Sequence, residues 1–120
     1  MVILPHPFRQ SNLDMKIIKK VDAIEVYNAR DNNQLNLKAL KLALENNLPY
    51  VGGSDAHIYI SIGMGNIELI DDDLSYEGIK NSILNRKIRI NKSKIALFTR
   101  FLDITYGHCI KLTKKRFIRN

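Results

Sequence analysis

Short β-branched or apolar runs alternate with segments of helical spacing along this chain, and that alternation restricts its fold more than any other feature. Val2-Ile3-Leu4 ends at Pro5, and Ala23-Ile24-Glu25-Val26-Tyr27 ends at Asn28. Tyr50-Val51 runs into Gly52-Gly53, and two further strands are expected from Asn66 to Ile70 and from Lys87 to Lys92, with Arg89 facing away from Ile88 and Ile90. A short helix is expected from Asn12 to Lys20, with Leu13, Ile17 and Ile18 on one face. The clearest helix runs from about Asn36 to Asn47, where Leu37, Leu40 and Leu44 recur at helical spacing beside Ala39 and Ala43, before Asn46-Asn47 and Pro49 stop it. The acidic turn Asp71-Asp72-Asp73 and Ser75 introduce another, to about Arg86, with Ile79, Ile83 and Leu84 inward and the acids at the positive end of its dipole. Strands separated by helices favour an α/β fold with mostly parallel strands.

At 120 residues, 45% hydrophobic and 26% charged, the chain has the composition of one ordinary folded domain. It can bury roughly two-thirds of its extended surface without a disulfide or structural metal. Complete α/β barrels take roughly 200–250 residues, so this chain is too short for a whole one. Its first strand has nothing before it, which implies a sequence that starts in the middle of a fold. Cys109 is the lone cysteine, so no internal disulfide can form and a reducing, cytoplasmic setting is expected. No apolar run approaches the roughly 18–20 residues that cross a bilayer. Met1 to Leu4 is too short for a signal peptide, with Pro5-His6-Pro7 directly after it.

The net charge of +7 is unevenly placed. Residues 1–79 carry 7 basic and 11 acidic side chains, a net −4, whereas residues 80–120 carry 12 basic and 1 acidic, a net +11. The chain therefore divides into an α/β portion, residues 1–92, and a basic amphipathic C-terminal helix and tail, residues 93–120. In the latter, Ile95, Phe98, Leu102, Thr105, Cys109 and Leu112 form a seam that could dock on the sheet or on a second chain. The basic side chains either hold phosphates, of nucleic acid, nucleotide or an anionic surface, or form a solvated face. Phe98, Phe101, Tyr106 and Phe117 could stack on bases, but their helical spacing suits a core better.

Ligands of parallel α/β folds collect at the carboxyl ends of the strands, and three of these ends carry chemistry-bearing groups. They are His6 after the first strand, Glu25 and Asn28 in the second, and Asp55 and His57 after Gly52-Gly53. In an extended segment Asp55 and His57, two apart, point to one side. With His6 they make an imidazole, carboxylate, imidazole set suited to zinc, manganese or iron. The plainer alternative is that each is a locally hydrogen-bonded polar group. Ser54 and Cys109 have no base beside them in sequence, so no side-chain nucleophile is expected.

Three segments in order, Leu4-Pro5-His6-Pro7-Phe8-Arg9, Val21 to Arg30 and Gly52-Gly53-Ser54-Asp55-Ala56-His57, closely resemble the carboxyl-terminal half of PHP (polymerase and histidinol phosphatase) domains. The resemblance covers residues 1 to about 90. It implies half of a distorted β/α barrel whose strand ends hold divalent metals (Mn, Zn, Fe or Mg) and whose reaction is metal-assisted hydrolysis of phosphate esters by a metal-bound water. It further implies that His6, Asp55 and His57 are metal ligands, and that Arg9 and Arg30 grip the phosphate of a small-molecule or nucleotide substrate. Glu25 and Asn28 would support these groups, Glu25 by steadying a histidine or the nucleophile, or else by pairing with Arg9 or Arg30. The family's amino-terminal His-X-His motif is not found in these residues, and Ser61 stands before Ile62-Gly63 where an acidic residue is common. The chain would accordingly be completed by another chain or a longer one, or persist as a catalytically silent binding or assembly module. The open sheet edge calls for a homodimer or for capping by the C-terminal helix.

Overall fold

The structure, a computed structural model, describes residues 1–9, 13–93 and 105. Its elements are β1 (Ile3–Leu4), a 3-10 helix (Met15–Lys20), β2 (Ala23–Asn28), α1 (Asn33–Glu45), β3 (Tyr50–Gly53), a second 3-10 helix (Tyr59–Ser61), β4 (Gly65–Leu69), α2 (Tyr76–Leu84) and β5 (Ile88–Lys92). The expected C-terminal helix and its seam fall, apart from Thr105, outside the described residues. No helix among the described residues is long and apolar enough to cross a membrane.

β1, β2 and β3 form a parallel sheet in that order, with Leu4 opposite Ile24, Ile24 opposite Tyr50 and Asn28 opposite Gly53. The fold is therefore α/β, as expected, with parallel pairing where the chemistry-bearing motifs lie. β4 and β5 form a separate antiparallel pair, Ile67 opposite Ile90. Gly65 brings β4 onto β3: a Cβ there would run into the carbonyl of Gly53, so the close approach of the two backbones requires glycine.

Both faces of β2 are covered. Ile24 and Val26 pack with Leu4, Ile18, Val21, Ala39, Leu42 and Ala43, while Ala23 joins Val51 and Ile83, with Ile67, Ile79 and Ile88 against them. The buried face of α1 differs from the leucine stripe read in the sequence. Leu37 and Leu44 are 65% and 62% exposed, while Ala39, Leu42 and Ala43 are buried. Leu37 and Leu44 are seven residues apart and share a side of the helix opposite this face. Two alanines on the inner face let the helix axis come close to the sheet, and Leu42, with the partly buried Leu40 also packed against the core, supplies the bulk.

The other helices also depart in detail. The expected 12–20 helix is a 3-10 helix capped by Asp14, whose carboxylate accepts from the Lys16 amide at 2.9 Å; Ile18 is buried and Ile17 is exposed. Around α2, Ser75 is the cap, accepting from Gly78 N–H at 3.1 Å, and Glu77 is the acid in the first turn. The aspartates lie before the helix, where Asp73 accepts from the Ser75 amide and Asp71 pairs with Lys87, both contacts being with neighbouring loop or strand rather than with the dipole. Leu84 is half exposed, and Gly78 and Ser82 share the inner face with Ile83 instead.

Candidate functional site

The parallel pairing brings the carboxyl ends of β1, β2 and β3 together, and with them the residues selected from the sequence. Two of these ends turn sharply: His6 and Asp55 have φ of 53° and 48°, a left-handed conformation that a non-glycine residue adopts at a cost of roughly 1–2 kcal/mol. The segment through Asp55 is therefore not extended, as the two-residue spacing to His57 had implied. Instead His57 folds back, its Nδ1 2.9 Å from the carbonyl of Asp55 and 3.9 Å from the Asp55 carboxylate.

Asn28, only 1% exposed, is the hub. Its Oδ1 accepts from Arg9 Nη2 and from the Arg30 amide, each at 2.9 Å, and its Nδ2 donates to Glu25 Oε2 at 3.0 Å. Its backbone is gripped by Asn36 of α1, which accepts from Asn28 N–H at 3.0 Å and donates to its carbonyl at 3.2 Å. The side-chain oxygen can satisfy two donors only because the amide nitrogen is turned to the carboxylate. The hydrogen bonds thus dictate the orientation of the amide.

Two arginines then converge on one carboxylate. Arg9 donates through Nε to Asp31 Oδ1 at 2.9 Å and through Nη1 to Asp55 Oδ2. Arg30 Nη1 lies 3.6 Å from the same Asp55 oxygen and 3.2 Å from His57 Nε2. Burial would raise the Asp55 carboxyl, but the hydrogen bond and charge of Arg9, with Asn28 and Arg30, hold it below its ordinary value. Burial likewise pulls on Arg9, and Asp55 and Asp31 outweigh it, leaving the guanidinium above its usual range. Glu25 moves the other way: burial pushes its carboxyl up, against the Asn28 bond and the nearby His6 and Arg9. Gly53 makes room for it, since a Cβ there would sit 2.5 Å from Glu25 Oε1.

Arg9, Glu25, Asn28, Arg30, Asp55 and His57 are joined in this network, and His6 stands near enough to Glu25 to act on its carboxyl. The hydrogen-bond partner of Glu25 is Asn28, while the pairing with Arg9 and Arg30 considered from the sequence is made by Asp55, with Asp31 also on Arg9. Asp31 and Asn36 were not singled out by sequence reasoning. The Arg30-Asp31 charge pair directly after β2 could have pointed to the first, whereas nothing local marks Asn36.

Two imidazoles and a carboxylate are suitable donors for a divalent ion. Among the described residues no three His, Cys, Asp or Glu side chains converge as a metal cage. Asp55 is engaged by two guanidinium groups, and His57, with its side chain 47% exposed, addresses Arg30 and its own loop. Ser61, in the position read as departing from the acidic pattern, is buried, and its Oγ has no hydrogen-bond partner among the described residues.

Residues 33–88 match a family model described as PHP-associated (PHP_C). No curated protein and no solved structure matches the chain.

Proposed function

We propose, from the match of residues 33–88 to the PHP-associated family model, that this chain supplies the phosphate-gripping part of a PHP-type phosphoesterase site. The phosphoryl group is that of a small molecule or nucleotide. The observation that carries this reading is the convergence of Arg9 and Arg30, from two separate strand ends, on the single oxygen Asp55 Oδ2. Two guanidinium groups that meet on one anionic oxygen offer the same geometry to a phosphoryl oxygen, which carries more charge and accepts more hydrogen bonds. Asn28 and Asp31 orient Arg9 for that purpose, and His57 borders the clamp. Hydrolysis at such a site needs an activated water, and the described donors do not assemble to provide it. Residues from outside this set would complete the reaction, and the present side chains bind and orient.

Calorimetric titration with inorganic phosphate and with a nucleoside monophosphate tests the clamp. Arg9→Met and Arg30→Met should each weaken binding about 10-fold or more, the usual effect of losing a charge-assisted pair. Equal affinity in wild type and both variants would refute the proposal. Turnover of a generic phosphodiester, measured with and without Mn²⁺ or Zn²⁺, then separates a phosphoesterase from a binding module without catalysis. The engagement of Asp55 by arginines favours the latter for the chain on its own.

A further inference from the structure

We infer that the cavity between α1 and β5 is a second binding site, for an aromatic carboxylate, separate from the arginine network. Its volume is about 700 Å³, within the roughly 300–1,000 Å³ usual for small-molecule sites. One wall explains the leucine stripe of α1. Leu40 reaches the core, whereas Leu37 is 65% exposed, and both line this cavity. The facing wall is β5, where Ile88 and Ile90, two apart and so on one side of the strand, also line it. Gly52 fixes the approach of that wall: a Cβ there would sit 2.6 Å from Ile90 Cγ2, so only glycine lets β5 lie this close to β3.

The chemistry of the lining selects the ligand. Tyr27 and Tyr50 add two aromatic rings to the aliphatic walls, surfaces on which a flat ring packs well. Among the described lining residues, Lys92 is the one charged side chain, and its ammonium lies 5.1 Å from the centroid of the Tyr27 ring rather than against a carboxylate. Asn36 also lines the cavity, but its amide is committed to the backbone of Asn28, which leaves Lys92 to set the preferred charge. A single cation beside aromatic and aliphatic walls suits a ring that bears one negative charge. A phosphoryl dianion would lose more hydration against such walls than one ammonium returns. Neither Arg9 nor Arg30 borders the cavity, so this site does not rest on the phosphate reading above.

The test is a methyl-resolved ¹³C NMR titration of the full chain with 2-naphthoate, its neutral analogue 2-naphthamide, and octanoate, which has the charge without the ring. The methyl signals of Leu37, Leu40, Ile88 and Ile90 should shift with 2-naphthoate while those of Ile18, on the far side of the core, stay in place. Lys92→Gln should weaken 2-naphthoate about 2- to 5-fold, the usual effect of an exposed ion pair, and leave 2-naphthamide unchanged. Leu37→Glu, which puts a carboxylate on the wall at an exposed position, should weaken 2-naphthoate about 5-fold or more, and the remaining methyl signals report that the fold is kept. Octanoate should bind more weakly than 2-naphthoate, and saturating inorganic phosphate should displace neither. Cavity methyls that do not respond overturn the site, as does displacement by phosphate, which would put the carboxylate on the arginines. Equal affinity for 2-naphthamide, or no effect of Lys92→Gln, overturns the preference for an anion. Octanoate binding as tight as that of 2-naphthoate overturns the preference for a ring.

Discussion

Replacing Asn28 by alanine removes a side chain that hydrogen-bonds Arg9, the Arg30 backbone and Glu25, and the cost can be worked from its contacts. Three hydrogen bonds are lost: Arg9 Nη2 and the Arg30 amide to Oδ1, and Nδ2 to Glu25 Oε2. A buried group left without its partner costs about 1–3 kcal/mol. The Arg30 amide and the Glu25 carboxylate bear most of this. Arg9 keeps Asp31 and Asp55 and is partly exposed, so its share is small. The sum is about 3–4 kcal/mol, a large fraction of the 5–15 kcal/mol by which domains are usually stable. Urea unfolding with linear extrapolation measures it. The isosteric Asn28→Asp is the sharper probe, because it retains an acceptor for the arginines but turns a second carboxylate toward Glu25. Its pair of carboxyl groups holds a proton above the ordinary range in the folded state. The folded form is therefore favoured at low pH and loses that advantage as pH rises through the raised pKa. Asn28→Asp should recover about 1 kcal/mol or more between pH 8 and pH 5 relative to Asn28→Ala. A loss below about 1 kcal/mol in the alanine variant, or identical pH profiles for the two variants, would refute the account of Asn28 as the hub.

The pH dependence of the wild type should carry opposite signatures of two carboxylates. Asp55, held below its ordinary value, contributes stability above its unfolded pKa that is lost as pH falls through the folded one; the acid limb of a urea-midpoint profile should be shallower in Asp55→Asn. Glu25, held above its ordinary value, opposes folding once pH passes its unfolded pKa, so Glu25→Gln should raise the urea midpoint at pH 7 and not at pH 3. On α1, Leu42→Ala should cost about 2–4 kcal/mol while Leu37→Ala costs under about 0.5 kcal/mol by the same assay, the reverse of what the leucine spacing implies. Gly53→Ala should destabilise by about 1–3 kcal/mol through its collision with Glu25, and combining it with Glu25→Ala should be less than additive in a double-mutant cycle.

The strands were legible because each is a short segment centred on apolar or β-branched residues, and several end at a proline, asparagine or glycine. Ala23–Asn28 and Ile88–Lys92 agree with the reading almost residue for residue. The inner face of α1 was legible only in part, since Leu40 packs against the core as read but Leu37 and Leu44 are exposed, while Ala39 and Ala43, weak in any hydropathy count, make the closest approach. A small residue marks close approach only once the partner surface is known. At the site, residue types and strand ends were enough to select His6, Glu25, Asn28, Asp55 and His57 as neighbours, and the resemblance added Arg9 and Arg30. They were not enough to pair them, because Arg9 and Asp55 are 46 positions apart and their contact depends on the relative placement of two loops. The left-handed turns at His6 and Asp55 carry only a weak sequence signal, since histidine and aspartate adopt this conformation more often than most residues but far less often than glycine.

The family match and the network divide the chain differently, and the difference locates the chemistry. The matched stretch, residues 33–88, contains Asp55 and His57 but neither arginine, nor Glu25 or Asn28. Those come from the first 31 residues and reach Asp55 only because β2 pairs in parallel with β1 on one side and β3 on the other. Parallel pairing aligns strand ends of the same polarity, so groups from three separate segments meet at one edge. β2 supplies the hub, β1 leads to Arg9, and β3 leads to the carboxylate that both arginines address. The matched stretch by itself would present Asp55 without its cations. The remainder would present two cations without the anion they share, Arg9 keeping Asp31. The unit that assembles the network is therefore the three-stranded sheet rather than either sequence segment, and changes that loosen β1–β2 pairing should release Asp55 as surely as removing Arg9.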